Sequence, residues 1–213
     1  KSGTKRLSMH IDERGLRINA PTRTSQNEID GFVHLHGDWV LKKLAELANA
    51  SQPRHVAVRD GTRLPVLDGE AEVRVLPGAN RVRWIGSQLV LEARADADLG
   101  QLATRALQKR ALAHFGERLA HYCKALGLAA PKLSLSSAHT RWGSCSKHGG
   151  IRINWRLIHL PVHLGDYVVA HEVAHLREMN HGKRFWATVE SIYPEWKTAR
   201  VELKERTTSL PIL

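Results

Sequence analysis

Asp166-Tyr167-Val168-Val169-Ala170-His171-Glu172-Val173-Ala174-His175 is the stretch on which the reading of this chain turns. Its apolar run marks a buried segment. Two histidines four residues apart fall on one face of a helix, one above the other, so both imidazoles can bind a single metal ion. Glu172 sits one step round the helix, near enough to reach a water on that ion without ligating it. With 13 histidines in 213 residues, a His-Glu-x-x-His arises by chance in roughly one shuffled sequence in twenty, so the pattern alone does not decide. The continuation Leu176-Arg177-Glu178-Met179-Asn180-His181 adds a third histidine and makes chance a poor account.

For His181 to join the other two, the helix must end soon after His175. In a continuous helix a residue six positions further on points far round the axis. The chain therefore has to bend back around Met179-Asn180, with Asn180 tolerating a left-handed stop and Gly182 as the alternative. A fourth protein ligand is not evident, which leaves a position for water. That is the pattern of a catalytic zinc site rather than a structural one. His139, His148, His159 and His163 have no helical register with the motif. Cys145 reads as a small buried thiol. Tyr167 and Asn154 read as packing and turn residues that also qualify as oxyanion donors. Trp142, Trp155 and Trp186 read as core aromatics beneath the site.

Working outward, the first half of the chain reads as strands and turns. Residues 15–20 alternate as a half-buried strand does. Ser25-Gln26-Asn27-Glu28 is a capping box opening one helix, with Ile29, Phe32, Val33, Trp39, Val40, Leu44 and Leu47 at helical spacing. Short strands are expected at 55–59, 63–67, 71–76 and 81–94, punctuated by Asp60-Gly61, Asp68-Gly69 and Pro77-Gly78, with Gly86-Ser87 as a further break. A long helix capped by Asp98 runs to Gly127. Strands around Leu133 and Leu135 and around Ile151 and Ile153 follow, the latter after a turn at Lys147-His148-Gly149-Gly150. Pro161 then opens the histidine helix, expected to reach about Arg177. Two more helices begin near Lys183 and Glu195. The expectation is an α+β protein: a β-rich region over 1–96, holding a small antiparallel sheet with one helix, and a helical and β domain over 97–213.

Composition narrows the function classes. Hydrophobic residues make up 42% and charged residues 25%, the mix of a globular protein rather than a disordered one. No stretch approaches the roughly 20 apolar residues that span a bilayer. Lys1-Ser2-Gly3-Thr4-Lys5-Arg6 leads straight into a strand-like pattern without a signal-peptide profile. Only Cys123 and Cys145 are present, too few for a disulfide scaffold, so a cytoplasmic setting is expected. Thirty-two Lys and Arg against 21 Asp and Glu give a net charge of +11. Such a field attracts polyanions and keeps nucleic acid or a nucleotide in view as a partner, although no nucleic-acid motif accompanies it.

The stretches Arg141-Trp142-Gly143-Ser144-Cys145-Ser146, Gly150-Ile151-Arg152-Ile153-Asn154-Trp155-Arg156-Leu157-Ile158 and Asp166-Tyr167-Val168-Val169, with the two-histidine motif, Asn180-His181 and Phe185-Trp186, resemble the YgjP-like metallopeptidase family. That family is similar to the SprT-like and WLM proteases within the zincin group. The resemblance is strongest over 141–186. It implies Zn2+ on His171, His175 and His181, with Glu172 as the catalytic carboxylate and a protein or peptide as substrate. It also implies a strand beside the cleft that pairs with extended substrate, a role for 150–154 or its hairpin partner around 141–146. Glu190 is the rival third ligand, since some zincins take a Glu from the following helix. Metzincins share the ligand spacing but carry Gly where this chain has Glu178, which argues against a true metzincin. Two other readings stand beside the peptidase: a metal-dependent hydrolase of nucleotide phosphoanhydrides with Arg clamping phosphate, and a zinc-stabilised nucleic-acid-binding module, or a blend of the two chemistries as a DNA-activated protease. Oligomeric state is not legible from the sequence.

Overall fold

The computed structural model of the chain describes residues 7–12, 15–49, 55–138, 140–146, 150–206 and 210–213. Contacts divide the chain into two units, Lys1–Arg54 and His55–Leu213. In the first, β1 (Ser8–Asp12) pairs antiparallel with β2 (Gly15–Asn19), the strand expected from its alternation. Two helices follow, α1 (Gln26–Leu35) and α2 (Gly37–Asn49), where the sequence reads as one. The capping box is present: Ser25 Oγ accepts from the Glu28 amide at 3.3 Å, and Glu28 Oε2 accepts from the Ser25 amide at 2.8 Å. The break falls at His36, where the backbone leaves helical geometry (φ −111°, ψ 19°), just ahead of the poor helix former Gly37.

The second unit opens on a four-stranded sheet of β3 (Arg63–Val66), β4 (Gly69–Pro77), β5 (Arg81–Ile85) and β6 (Gln88–Ala93), in the order β3-β4-β6-β5. The expected break at Gly86-Ser87 separates β5 from β6. Residues 55–59 do not form a strand; His55 makes only an isolated bridge to Ile212. The sheet is mixed rather than antiparallel, because β4 and β6 run parallel. Burial explains the order. β6 supplies Leu89, Val90 and Leu91, all buried, and so belongs between two neighbours. β5 carries exposed Arg81 and Arg83, which suit an edge.

Next come α3 (Leu99–Ala125), capped by Asp98 through the Gln101 amide at 2.9 Å, and a three-stranded sheet of β7 (Leu133–Ser136), β8 (Gly143–Ser146) and β9 (Gly150–Asn154). Its order is β7-β9-β8, with β9 central and β8 at an edge. Of the expected turn at 147–150, residues 147–149 lie outside the described residues and Gly150 opens β9. A 3-10 turn (Trp155–His159) leads to α4 (Val162–Ala174), α5 (Lys183–Ile192) and α6 (Trp196–Arg206). One core joins Leu64, Leu89 and Leu91 of the first sheet with Phe115 of α3, Ile153 of β9 and Val169 of α4. The sheet over 63–93 therefore packs with the helices that follow it, and the division falls at Arg54–His55 rather than at 96/97. The fold class is α+β, as expected. Among the described residues no helix is long and apolar enough to cross a membrane.

The placement of α4 matters most. Leu164, Gly165, Asp166, Tyr167, Val168, Val169 and Ala170 are all buried. α3 crosses so closely that a Cβ on Gly165 would meet Phe115 Cε1 at 2.9 Å. One residue on, Asp166 accepts a forked pair from Arg118 of α3, Nε to Oδ1 at 2.6 Å and Nη2 to Oδ2 at 2.7 Å. Gly165→Val should lower stability by about 1–3 kcal/mol through overpacking, read as a fall in the urea midpoint. Adding Phe115→Leu should recover part of that loss; equal or greater loss in the double variant would show that the crossing is not the cause.

Candidate metal centre

His171 and His175 leave the last turn of α4 one above the other, with ring centroids 5.1 Å apart. The helix ends at Ala174, short of the expected Arg177, and His175 is its cap. Leu176, Arg177 and Glu178 donate back to Val173 and Ala174 carbonyls, so the chain turns at once. Neither Asn180 nor Gly182 adopts positive φ. The stop is instead clipped by His175, whose Nδ1 lies 3.1 Å from the Glu178 carbonyl oxygen. A carbonyl only accepts, so Nδ1 carries the proton and Nε2 is left unprotonated. Glu178 sits in ordinary backbone geometry, and this turn has no need of the glycine that metzincins place there. Gly182 then starts α5 from an extended backbone (φ −79°, ψ −175°).

That reversal returns His181 to the other two. Its Nε2 lies 3.1 Å from His171 Nε2, and one ring nitrogen from each of the three histidines falls within 4.8 Å of the others. Phe185, fully buried, packs its ring against all three, with centroids at 4.9, 4.5 and 4.6 Å from His171, His175 and His181. Burial first, then the neighbouring His175 and His181, push the His171 pKa down to about 3. Burial also lowers His175. The cluster therefore cannot relieve its crowding by protonating His171, and one ring nitrogen from each of three histidines converges on one point. This donor set fits a borderline-soft divalent cation such as zinc.

Glu172 is 5% exposed, and burial alone pushes its pKa up to about 7. It makes no hydrogen bond among the described residues. Its carboxyl group lies flat on Gly143 of β8, where a Cβ would meet Glu172 Cγ at 2.7 Å and Cδ at 2.8 Å. Only glycine lets the edge strand come this close. Nearby Cys145 has its thiol pushed up by burial and secondarily by the Glu172 charge; it is half-buried and stands apart from the imidazole cluster.

Most other candidates are placed elsewhere. Asn154 is fully engaged, donating through Nδ2 to the Ala138 and Arg141 carbonyls at 2.7 and 3.3 Å and accepting from the Arg156 amide at 3.1 Å, so it holds a loop and has no donor to spare. His159 faces the Pro65 carbonyl at 2.7 Å, and His163 pairs with Glu202 at 2.7 Å. Glu190 is exposed on α5 and does not join the three histidines. His139 and His148 lie outside the described residues. Trp155 is a core residue whose Nε1 donates to Ser137 Oγ at 3.1 Å, and Trp142 packs against the core half-buried. Trp186 is not beneath the site but in its wall. A cleft of about 420 Å³ is lined by Tyr167, His171, His181, Trp186 and Arg200. Sequence reasoning missed Arg200 because a lone arginine on an amphipathic helix carries no signal, and missed Gly143 because its role depends on a strand and a helix far apart in the chain.

An HExxH helix with a third histidine folded back onto it, beside a buried carboxylate and an open cleft, is the arrangement a metal-dependent hydrolase requires. The model of the YgjP-like family, metallopeptidase domain, matches residues 5–206, and the chain belongs to that family; it is a metal-dependent peptidase. Among solved structures, the crystal structure of the metallopeptidase zymogen of Pyrococcus abyssi abylysin is similar, with a TM-score of 0.42 and 24% identity, covering 46% of this chain and 99% of that one. A search of curated proteins returns no match. The family match speaks for peptide substrates and lends no support to a nucleic-acid partner. Gly143→Ala should displace the Glu172 carboxyl group and lower peptide turnover about 100-fold, the scale on which a misplacement of about 1 Å acts, with bound metal unchanged by elemental analysis. Turnover within twofold of the parent would show that the contact does not hold Glu172.

Proposed function

We propose that the protein is a zinc-dependent peptidase in which His171, His175 and His181 hold one Zn2+ and Glu172 handles the proton. The observation that carries this reading is the convergence of three imidazoles beside a buried, uncommitted carboxylate. Three histidines, with no fourth side chain joining them among the described residues, match the ligand set of a catalytic rather than a structural zinc. Zinc there supplies Lewis acidity, polarising the scissile carbonyl and making water a stronger acid. His175, its Nδ1–H fixed on the Glu178 carbonyl, keeps Nε2 available to the ion. Glu172 accepts the proton of the attacking water and returns it to the leaving amine. Tyr167, in the cleft wall, is the remaining candidate to donate to the oxyanion, now that Asn154 is committed elsewhere.

Substrate binding follows from the sheet. β9 is paired on both sides, whereas β8 is an edge strand among the described residues, so of the two strands the sequence nominates we assign β8 to an extended peptide. Backbone pairing of that kind gives affinity without reading much sequence. Cys123 and Cys145 are both free thiols, which suits the reducing cytoplasm we propose as its setting. The phosphoanhydride and nucleic-acid readings have no comparable observation behind them.

Glu172→Gln should bind zinc at the parent stoichiometry while losing about 10²- to 10⁴-fold in turnover of an unfolded protein substrate. His181→Ala should lose zinc during dialysis. Hydrolysis of nucleoside triphosphates in place of peptides, or full activity in Glu172→Gln, would overturn the reading.

A further inference from the structure

α6 brings two residues of one face against Trp186, and the second of them, Arg200, lines the cleft. Trp196 and Arg200 are four apart, hence one above the other, while Ala199 and Leu203 turn into the core. Both reach the same partner. The Trp196 ring stacks on Trp186 with centroids 4.2 Å apart and planes 20° from parallel. The Arg200 guanidinium lies over the Trp186 ring, 5.3 Å from its centroid. Trp186 in turn lies 5.9 Å from the His181 ring and 5.8 Å from that of His171. Arg200 is thus a positioned cation, held by an aromatic stack against the imidazole cluster and lining the same cleft.

It is also uncommitted. Among the described residues no carboxylate pairs with Arg200. Glu202, two residues on, is engaged by His163 at 2.7 Å and by Arg206 at 2.7 Å. Glu172 is buried against Gly143. The charge of Arg200 nevertheless reaches the cleft wall, where it opposes the upward push that burial gives the Tyr167 hydroxyl. A guanidinium with its fork free in a cleft is built to receive a planar anion, and the anion a peptide brings is a carboxylate.

We propose that Arg200, seated on Trp186, binds a carboxylate of the peptide substrate beside the cleaved bond and makes this peptidase favour acidic sequences. The inference rests on the peptidase reading of the site. The carboxylate comes either from an Asp or Glu side chain or from the substrate's own C-terminus. Arg200 determines specificity in this scheme and leaves the proton chemistry to Glu172.

The test uses the full chain loaded with zinc and peptides blocked at both ends that carry Glu or Gln at successive positions around the cleaved bond. A parallel set has a free or an amidated C-terminus. The parent protein should favour Glu over Gln in kcat/KM by roughly tenfold, the scale of one hydrogen-bonded charge contact. In Arg200→Gln that ratio should fall towards one, through KM rather than kcat, and Arg200→Glu should shift preference to Lys. A preference confined to the free C-terminus would assign the carboxylate to the chain end and still support the proposal. A ratio near one for the parent in every set would overturn it. So would an Arg200→Gln variant losing kcat equally for acidic and neutral peptides, since that marks a transition-state role. Binding of the same peptides to Glu172→Gln, read by fluorescence anisotropy, separates the two claims. Arg200-dependent capture of acidic peptides without any turnover in the parent sinks the peptidase reading and keeps this one.

Discussion

Helix α4 is wedged against α3, β8 and β9, and the contact that fixes it is the close crossing at Gly165 and Phe115 with the Arg118–Asp166 fork beside it. An apolar rod buried this thoroughly has little freedom to rotate or slide, because protein interiors are packed like crystals. His171 and His175 therefore point where the rod points them. The short turn clipped by His175 on the Glu178 carbonyl does the rest, because it fixes how soon the chain reverses and so where His181 arrives. Precision at the imidazole cluster is inherited from packing about one and a half turns before His171. Sites of this kind need geometry held to fractions of an ångström, and rigid elements supply it better than loops.

Burial sets the electrostatics as well as the geometry. It drives His171 down to about 3 and Glu172 up to about 7, in each case by disfavouring the charged form. A proton on His171 and negative charge on the Glu172 carboxylate are therefore both expensive in this environment. On the proposed reading, one divalent cation answers both, since it takes the imidazole lone pairs and favours the carboxylate anion nearby. Opposite shifts in adjacent titratable groups are the usual mark of a site arranged for chemistry rather than for stability.

The parts of this protein legible in its sequence are the ones encoded locally. The histidine register, the Ser25 and Asp98 caps, the stop at Gly127 and the break at Gly86-Ser87 each depend on residues a few positions apart, and the fold honours them. Where distant contacts decide, the sequence misleads. Nothing near β4 announces that β6 will run parallel to it; that follows from the burial of Leu89, Val90 and Leu91 against an arginine-rich β5. Periodicity carried the first helix straight through His36 because a single Gly weakens a helix by only about 1 kcal/mol and leaves no gap in the apolar pattern. Asn180 was the natural place to stop the histidine helix on propensity, yet a side chain closed the turn from His175 instead. A histidine that is both ligand candidate and helix cap gives no separate signal for the second role.

On the proposed reading, chemistry and selection fall to different elements, and this division has a physical rationale. α4 and its turn hold the histidines and Glu172, where any change of volume is felt across the core. The β8 edge would recognise an extended chain through its backbone donors and acceptors, but not the sequence of that chain. Discrimination among substrates must then come from side chains lining the cleft. Those the helices after the turn contribute, Trp186 from α5 and Arg200 from α6, are braced by the Trp186–Trp196 stack as well as by the His171 and His181 rings. Arg200 is exposed while its neighbours Ala199 and Leu203 anchor α6. Its side chain can change without disturbing the fold beneath it, whereas a change at Gly165 or Gly143 cannot be absorbed. A scaffold so divided can keep one hydrolytic centre and retune its preference by substituting a single exposed position on α6.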